Sequence, residues 1–204
     1  SPGVITTTHY YIPFPETGMS RSVESEVVET SQVATRYVYE YQGFEIRPGV
    51  FDVRNLSEDG YHYTLASDLS YQTSQSYQYD DFGNLQLLVD EGNVEDAHDN
   101  SAVCVNFRNE TEPWRIGFPV NSATAASCQI DAGVCDCSDA VTRDQWTYTT
   151  DLRRNTATHA QFDSSNNGWL GTAMEWDDYG NIVLESGAYG ETANGSGPPT
   201  LFNP

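Results

Sequence analysis

The chain has 204 residues and a mean hydropathy of −0.54, long enough for one all-β domain or part of a longer β assembly, and its 30 acidic against 9 basic side chains leave a formal net charge of −21. All nine basic residues are arginine, and a surface so negative repels phosphate backbones and anionic lipid heads, which excludes nucleic acid and membrane surfaces as partners. No run approaches the ~20 apolar residues of a membrane span, and the opening "SPGVITTTHYY" lacks the basic and apolar regions of a leader peptide, so a mature segment or excised piece without membrane insertion is expected.

Taken in chain order, residues 1–31 read as an irregular N-terminal segment, with "YIPFPETGMS" as a linker. Val23, Val27 and Val28 have helical spacing, but β-branched content and the alternation of Tyr37, Tyr39 and Tyr41 favour extended chain from Ser20 to Tyr41. From residue 32 to 190, short alternating runs recur at Gly60 to Leu65, Ser76 to Tyr79, Leu85 to Val89, Ala102 to Phe107, Gln145 to Thr149, Thr156 to Phe162, Thr172 to Trp176 and Ile182 to Glu185. Turn signals such as "SEDG", "DEGN" and "SSNNG" separate them, and together they predict a helix-poor, all-β antiparallel meander. The segment from about 121 to 142 lacks a strong strand pattern and reads as a cysteine-containing insertion, while 191–204 is a Gly/Pro-rich tail.

One unit is written twice. "YDDFGN" aligns Tyr79, Asp80, Gly83 and Asn84 with Trp176, Asp177, Gly180 and Asn181 of "WDDYGN", and each copy leads into an apolar run. The composition gives it a physical job: an aromatic ends one strand, Asp bonds its own downstream backbone, and Gly-Asn supplies positive-φ positions for a tight hairpin. A weaker third copy, "YEYQGFEIRP" from Tyr39, keeps the aromatics and the Gly without the Asn, and the spacing is too irregular for a strict solenoid.

Four cysteines, Cys104, Cys128, Cys135 and Cys137, crowd into one third of the chain and read as two disulfides in an oxidising compartment, that is, a secreted or cell-surface protein. A zinc site is the weaker reading, because Cys135 and Cys137 are too close for the usual ligand spacing. A direct Cys135–Cys137 bridge would strain a tight ring, and the pairing is otherwise open.

The pattern aromatic-Asp-x-aromatic-Gly-Asn, with "NETEPWRIGFP" from Asn109 to Pro119 and "NNGWLG" from Asn166 to Gly171, resembles the YD repeat of RHS proteins between Tyr71 and Gly190. The longer stretch is similar to the B component of insecticidal toxin complexes and its SpvB-like relatives. The resemblance implies a segment of a spiralling β-sheet shell that encloses another polypeptide or, in teneurin-type receptors, acts at the cell surface. Its implied partners are further repeats or other subunits of the same assembly. The family's self-cleaving aspartates have no counterpart motif here, so only the eight repeat positions transfer, as structural residues. The cysteine cluster lies outside the family pattern.

Chemistry-bearing alternatives are thinner. His9, His62, His98 and His159 are scattered, and no nucleophile elbow, metalloprotease helix or phosphate loop appears, so no catalytic residue and no enzyme is expected. Calcium is the one cofactor with candidates. Asp163, Ser165 and Asn167 begin like an EF-hand loop, yet Met174 stands where a bidentate Glu is needed, so an Asn-Gly turn is the better reading, and Asp90, Asp96 and Asp99 sit in an acidic stretch that reads better as a solvated loop than as a calcium site. Trp114, Trp146 and Trp169 near turns carry the rival function, a stand-alone extracellular module that stacks rings on a cell-surface glycan, although Trp is more often a buried plug. The sequons at Asn55, Asn109 and Asn194 would matter only on a eukaryotic secretory route.

Overall fold

The structure, a computed structural model, describes residues 5–14, 19–29, 32–64, 66, 68–112, 114–149, 155–163 and 168–191. Every regular element among them is a strand, and the chain divides into two units at Ala102 and Val103. No helix among the described residues is long and apolar enough to cross a membrane.

The first unit contains β1 (Ile5–Phe14), β2 (Met19–Glu29), β3 (Gln32–Arg47), β4 (Val50–Tyr63), β5 (Leu69–Tyr79) and β6 (Leu85–Asn93). Each is antiparallel to its sequence neighbour, so the unit is an uninterrupted meander. The segment 1–31, expected to be irregular, carries β1 and β2; Thr and Tyr in β1 and Val in β2 supply β propensity that outweighs Pro13, and β2 bears out the extended chain expected from Ser20. The third copy of the repeat is also corrected. Gly43 lies inside the 16-residue β3, paired with Val53, and the chain reverses instead at Pro48-Gly49, where Gly49 holds φ 74°.

The second unit contains β7 (Ser101–Thr111, whose first two residues precede the boundary), β8 (Trp114–Ala125), β9 (Gln129–Asp131), β10 (Val134–Asp136), β11 (Thr142–Tyr148), β12 (Thr156–Asp163), β13 (Gly168–Trp176) and β14 (Ile182–Glu191). Its sheet runs β7-β8-β11-β12-β13-β14, and β9 and β10 form a separate two-stranded ribbon. The direct pairing of β8 with β11 makes 126–141 an excursion from the meander. The 121–142 segment is not strandless, however: β8 continues to Ala125, and the ribbon closes on Ala132-Gly133, both at positive φ (47° and 79°), the backbone of a tight hairpin turn.

Burial is sparse. In the first unit Leu87, Ala102, Arg54, Gln86 and Ser25 are shielded, and in the second Cys104, Cys135, Cys137, Ala125, Ala160 and Trp169. The half-exposed pattern of most strands shows that the sheet faces bury little of their side chains, as an antiparallel sheet with a solvated face does.

Candidate functional site

The duplicated motif builds the same turn twice. Asp80 Oδ1 accepts the backbone N–H groups of Phe82 (2.9 Å) and Asn84 (2.8 Å), and Oδ2 accepts the Asn84 side-chain amide at 2.8 Å. Asp177 repeats this with Tyr179 (2.8 Å), Asn181 (2.9 Å) and the Asn181 amide (3.0 Å). Backbone bonds from Gly83 to the Asp80 carbonyl and from Asp80 to the Asn84 carbonyl close the turn, again with matching bonds at Asp177. Gly83 and Gly180 hold φ at 89° and 86°. The asparagines do not share that conformation. Asn84 and Asn181 clamp the aspartate instead, and this corrects the expectation that Gly-Asn together supplies positive φ. These donors draw the Asp177 carboxyl below its usual value, the Asn181 side chain first and its backbone next. Asp81 and Asp178 are exposed.

Each aromatic stands in for a lost ladder bond. The β4–β5 ladder ends at Ser57 and Ser76, and beyond it Tyr79 Oη donates to the Asn55 carbonyl at 2.9 Å. The β12–β13 ladder ends at Thr158 and Ala173, and Trp176 Nε1 donates to the Thr156 carbonyl at 2.7 Å. In both cases the donor lies three residues past the last pair and the acceptor two residues before it. Both copies also shift register at the aromatic: Gln78 faces Leu87 and Tyr79 faces Leu85, as Glu175 faces Leu184 and Trp176 faces Ile182. The repeated unit is therefore three strands with a bulge and a turn, larger than its six-residue signature.

Arg54, which nothing local in the sequence singles out, anchors the first copy. Its Nε donates to Asp52 Oδ2 at 2.7 Å and Nη1 to the Asp80 carbonyl at 3.1 Å, and the guanidinium lies over the rings of Phe44 (4.6 Å) and Tyr79 (5.4 Å).

The cysteines pair Cys104–Cys135 and Cys128–Cys137, with Cα separations of 5.7 and 4.1 Å, and neither bridge joins Cys135 to Cys137. The first fastens the ribbon to β7. Asn106 doubles that attachment, because its side-chain amide takes the Cys135 N–H at 2.9 Å and gives to the Cys135 carbonyl at 2.7 Å, as a strand neighbour would. Between ribbon and sheet lies a polar cleft of about 660 Å³ lined by Asp131, Asp136, Asp139, Asp144, Arg143 and amides such as Asn121 and Gln145.

At its edge Asp144 Oδ1 meets His159 Nε2 at 2.9 Å while Ser122 Oγ donates to Asp144 Oδ2 at 3.4 Å. This is not a nucleophilic triad. The carboxylate sits between hydroxyl and imidazole, so the histidine does not take the serine proton. Trp146 stacks on His159 with centroids 5.1 Å apart, which leaves it committed to that pair.

The calcium candidates are spread through turn chemistry. Asp90 accepts the Gln75 amide and the Gly92 N–H, Asp96 accepts the His98 N–H, and Asp99 accepts the Asn93 N–H. No group of three His, Cys, Asp or Glu placed to hold a metal occurs among the described residues. Asn167 and the Asp163 side chain lie outside the described residues, as do Ser165 and the sequon at Asn194. The three tryptophans do not share one environment. Trp114 is 72% exposed, Trp146 is half-buried, and Trp169 is 1% exposed and packs against Phe162, so it is a plug and not a sugar platform. No family model matches this chain, and no curated protein matches it.

Proposed function

We propose that the chain is a structural, encapsulating segment of an exported YD-repeat protein of the RHS type, of the toxin-shell or cell-surface kind. It has no chemistry of its own and walls off or presents another polypeptide. The observation that carries this reading is the character of the outermost strands. Among the described residues of the first unit β1 pairs only with β2, and it leaves Ile5 65% and Tyr11 62% exposed. Among those of the second, β14 pairs only with β13, and Val183 is 61% exposed. Each ladder carries one bulge, at Tyr10/Tyr11 and at Glu175/Trp176, and β14 shows one exposed charge, Glu185, but the remaining length of both outer strands presents apolar side chains that invite further strands, which is what neighbouring repeats or subunits would supply. Two disulfides in so acidic a chain suit a secreted or cell-surface setting.

The competing reading, a free-standing glycan-binding module, rests on the exposed ring of Trp114. Light scattering with glycan-array binding separates them. Self-association through sheet edges, without glycan binding, is expected; a compact monomer that binds a glycan and loses it on Trp114→Ala would overturn the shell reading.

A further inference from the structure

Across the middle of the first unit, one register row joins four strands: Tyr39 on β3 faces Glu58 on β4, Glu58 faces Gln75 on β5, and Gln75 faces Asp90 on β6. At a strand spacing of about 4.8 Å the row is about 14 Å wide. Two residues along β3 and β5 the same face continues with Tyr41 and Tyr77. The Tyr39 and Tyr41 rings stack at 6.3 Å and 28°, Tyr77 Oη donates to Gln75 Oε1 at 2.8 Å, and Gln75 Nε2 donates to Asp90 Oδ2 at 2.9 Å. The face is thus a tyrosine-rich platform with carboxylates at two points of its central row, all half-buried.

We propose that this face is the docking surface for an extended, lysine- or arginine-bearing segment of another polypeptide, with a cationic side chain seated on Glu58. The Glu58 side chain makes no hydrogen bond and no ion pair among the described residues, although Gln75 beside it on the row is bonded to Tyr77 and Asp90. Burial among the rings pushes its carboxyl above the usual value, the condition of an acid whose counter-charge is missing. Among the described residues the chain does not supply that charge: it has no lysine, Arg21 is close enough to act on the Tyr41 hydroxyl but not on the Glu58 carboxyl, and Arg54 is committed to Asp52 and Asp80. Tyrosine faces attract ammonium and guanidinium groups, so Tyr39, Tyr41 and Tyr77 add to the carboxylates. An apolar partner would leave Glu58 buried without a counter-charge, and an anionic one would be repelled. A row four strands wide matches an extended chain better than a small cation. This assignment rests on the structural reading above, since it names the chemistry of the polypeptide that the sheet covers.

The test uses the full 204-residue chain and two probes, an alternating Lys-Thr decapeptide and its Gln-Thr counterpart, by calorimetric titration at about 0.15 M salt, where long-range attraction is screened. The Lys-Thr peptide is expected to bind and the Gln-Thr peptide not. Glu58→Gln is expected to weaken binding about fivefold to tenfold, the scale of one partly desolvated charge contact. Asp81→Asn, which removes the same charge from an exposed turn position, should change affinity less than twofold. Equal losses in the two variants would reduce the effect to net charge and overturn the proposal, as would equal binding of both peptides or none of either. Glu58→Gln removes a disfavoured charge, so its melting temperature should not fall, and lost binding cannot be put down to unfolding. A monomer that still binds the Lys-Thr peptide through Glu58 would sink the shell reading and leave this one standing.

Discussion

The Arg54 guanidinium donates to the backbone carbonyl of Asp80, 26 residues further along the chain, and so ties the first repeat turn to the strand beneath it. The side chain is 8% exposed and holds Asp52 as well. Arg54→Ala strips an ion-paired bond to Asp52 and a charge-assisted bond to the Asp80 carbonyl from a shielded site, an expected loss of about 2 to 3 kcal/mol, tempered because Asp52 can turn to water. Arg54→Lys should recover less than half of it, since an ammonium cannot span both acceptors in the plane of two rings. Urea unfolding measures both; an alanine variant within about 0.5 kcal/mol of the parent would show that the turn stands without its anchor.

The two repeat glycines separate backbone strain from packing. Both have positive φ, but a Cβ at Gly180 meets nothing within 4 Å, whereas one at Gly83 comes 3.1 Å from Arg54 Nη2 and 3.2 Å from Asp52 Oδ2. Gly180→Ala is expected to cost about 1 to 2 kcal/mol from the left-handed conformation alone. Gly83→Ala should cost more, because it also crowds the Arg54–Asp52 pair, and Gly83→Val more again. Asp81→Ser should be neutral within about 0.5 kcal/mol, with or without calcium. Equal melting temperatures for the two alanine variants would remove Arg54 from the account.

These glycines were legible in the sequence because an Asx-type turn is local: Asp80, Gly83 and Asn84 decide it among themselves. The meander was legible for the same reason, since each strand pairs with its sequence neighbour except where β8 skips the ribbon to reach β11. What decided the remainder was distant. Arg54 gathers Phe44, Asp52, Tyr79 and the Asp80 carbonyl from three strands and a turn, and Asn106 meets Cys135 across 29 residues. No local pattern records either contact. Gly43 misled for the converse reason: the aromatic-Gly spacing around it copies the motif, but without Asp and Asn there is nothing to close a turn, and the strand runs on.

Asp177 makes the second turn sensitive to acid. Its folded carboxyl titrates below the usual 3.8 because the Asn181 side chain, then backbone N–H groups, bond the ionised form. A depressed carboxyl contributes stability that is present above its unfolded pKa and is lost as pH falls through the folded value. The turn bonds are therefore expected to hold at neutral pH and to weaken below about pH 4. Amide exchange at Tyr179 and Asn181 reports this directly. Protection that falls in acid, and no longer responds to acid in Asp177→Asn, is the expected result; acid-independent protection in the parent would refute it.

The last prediction separates the two bridges. Cys104–Cys135 spans 31 residues and fixes the ribbon to β7, while Cys128–Cys137 spans 9 and closes the excursion on itself. Chain-entropy arguments give about 3.5 kcal/mol for the longer loop and about 2.5 for the shorter, so Cys104→Ala with Cys135→Ala should be the more destabilising pair. Local burial points the same way, because Cys104 and Cys135 are 2% and 3% exposed and Asn106 grips the Cys135 backbone. Losing that bridge leaves Asn106 to hold the ribbon with two hydrogen bonds, each worth about 1 kcal/mol net. Adding Asn106→Ala to the Cys104/Cys135 variant should then free the ribbon, seen as rapid amide exchange and proteolysis between Gln129 and Asp136, with β8 and β11 still paired. Peptide mapping without reductant should recover Cys104 linked to Cys135 and Cys128 linked to Cys137, with no alkylated thiol. Four labelled cysteines in the freshly isolated chain would remove both the bridges and the compartment proposed from them.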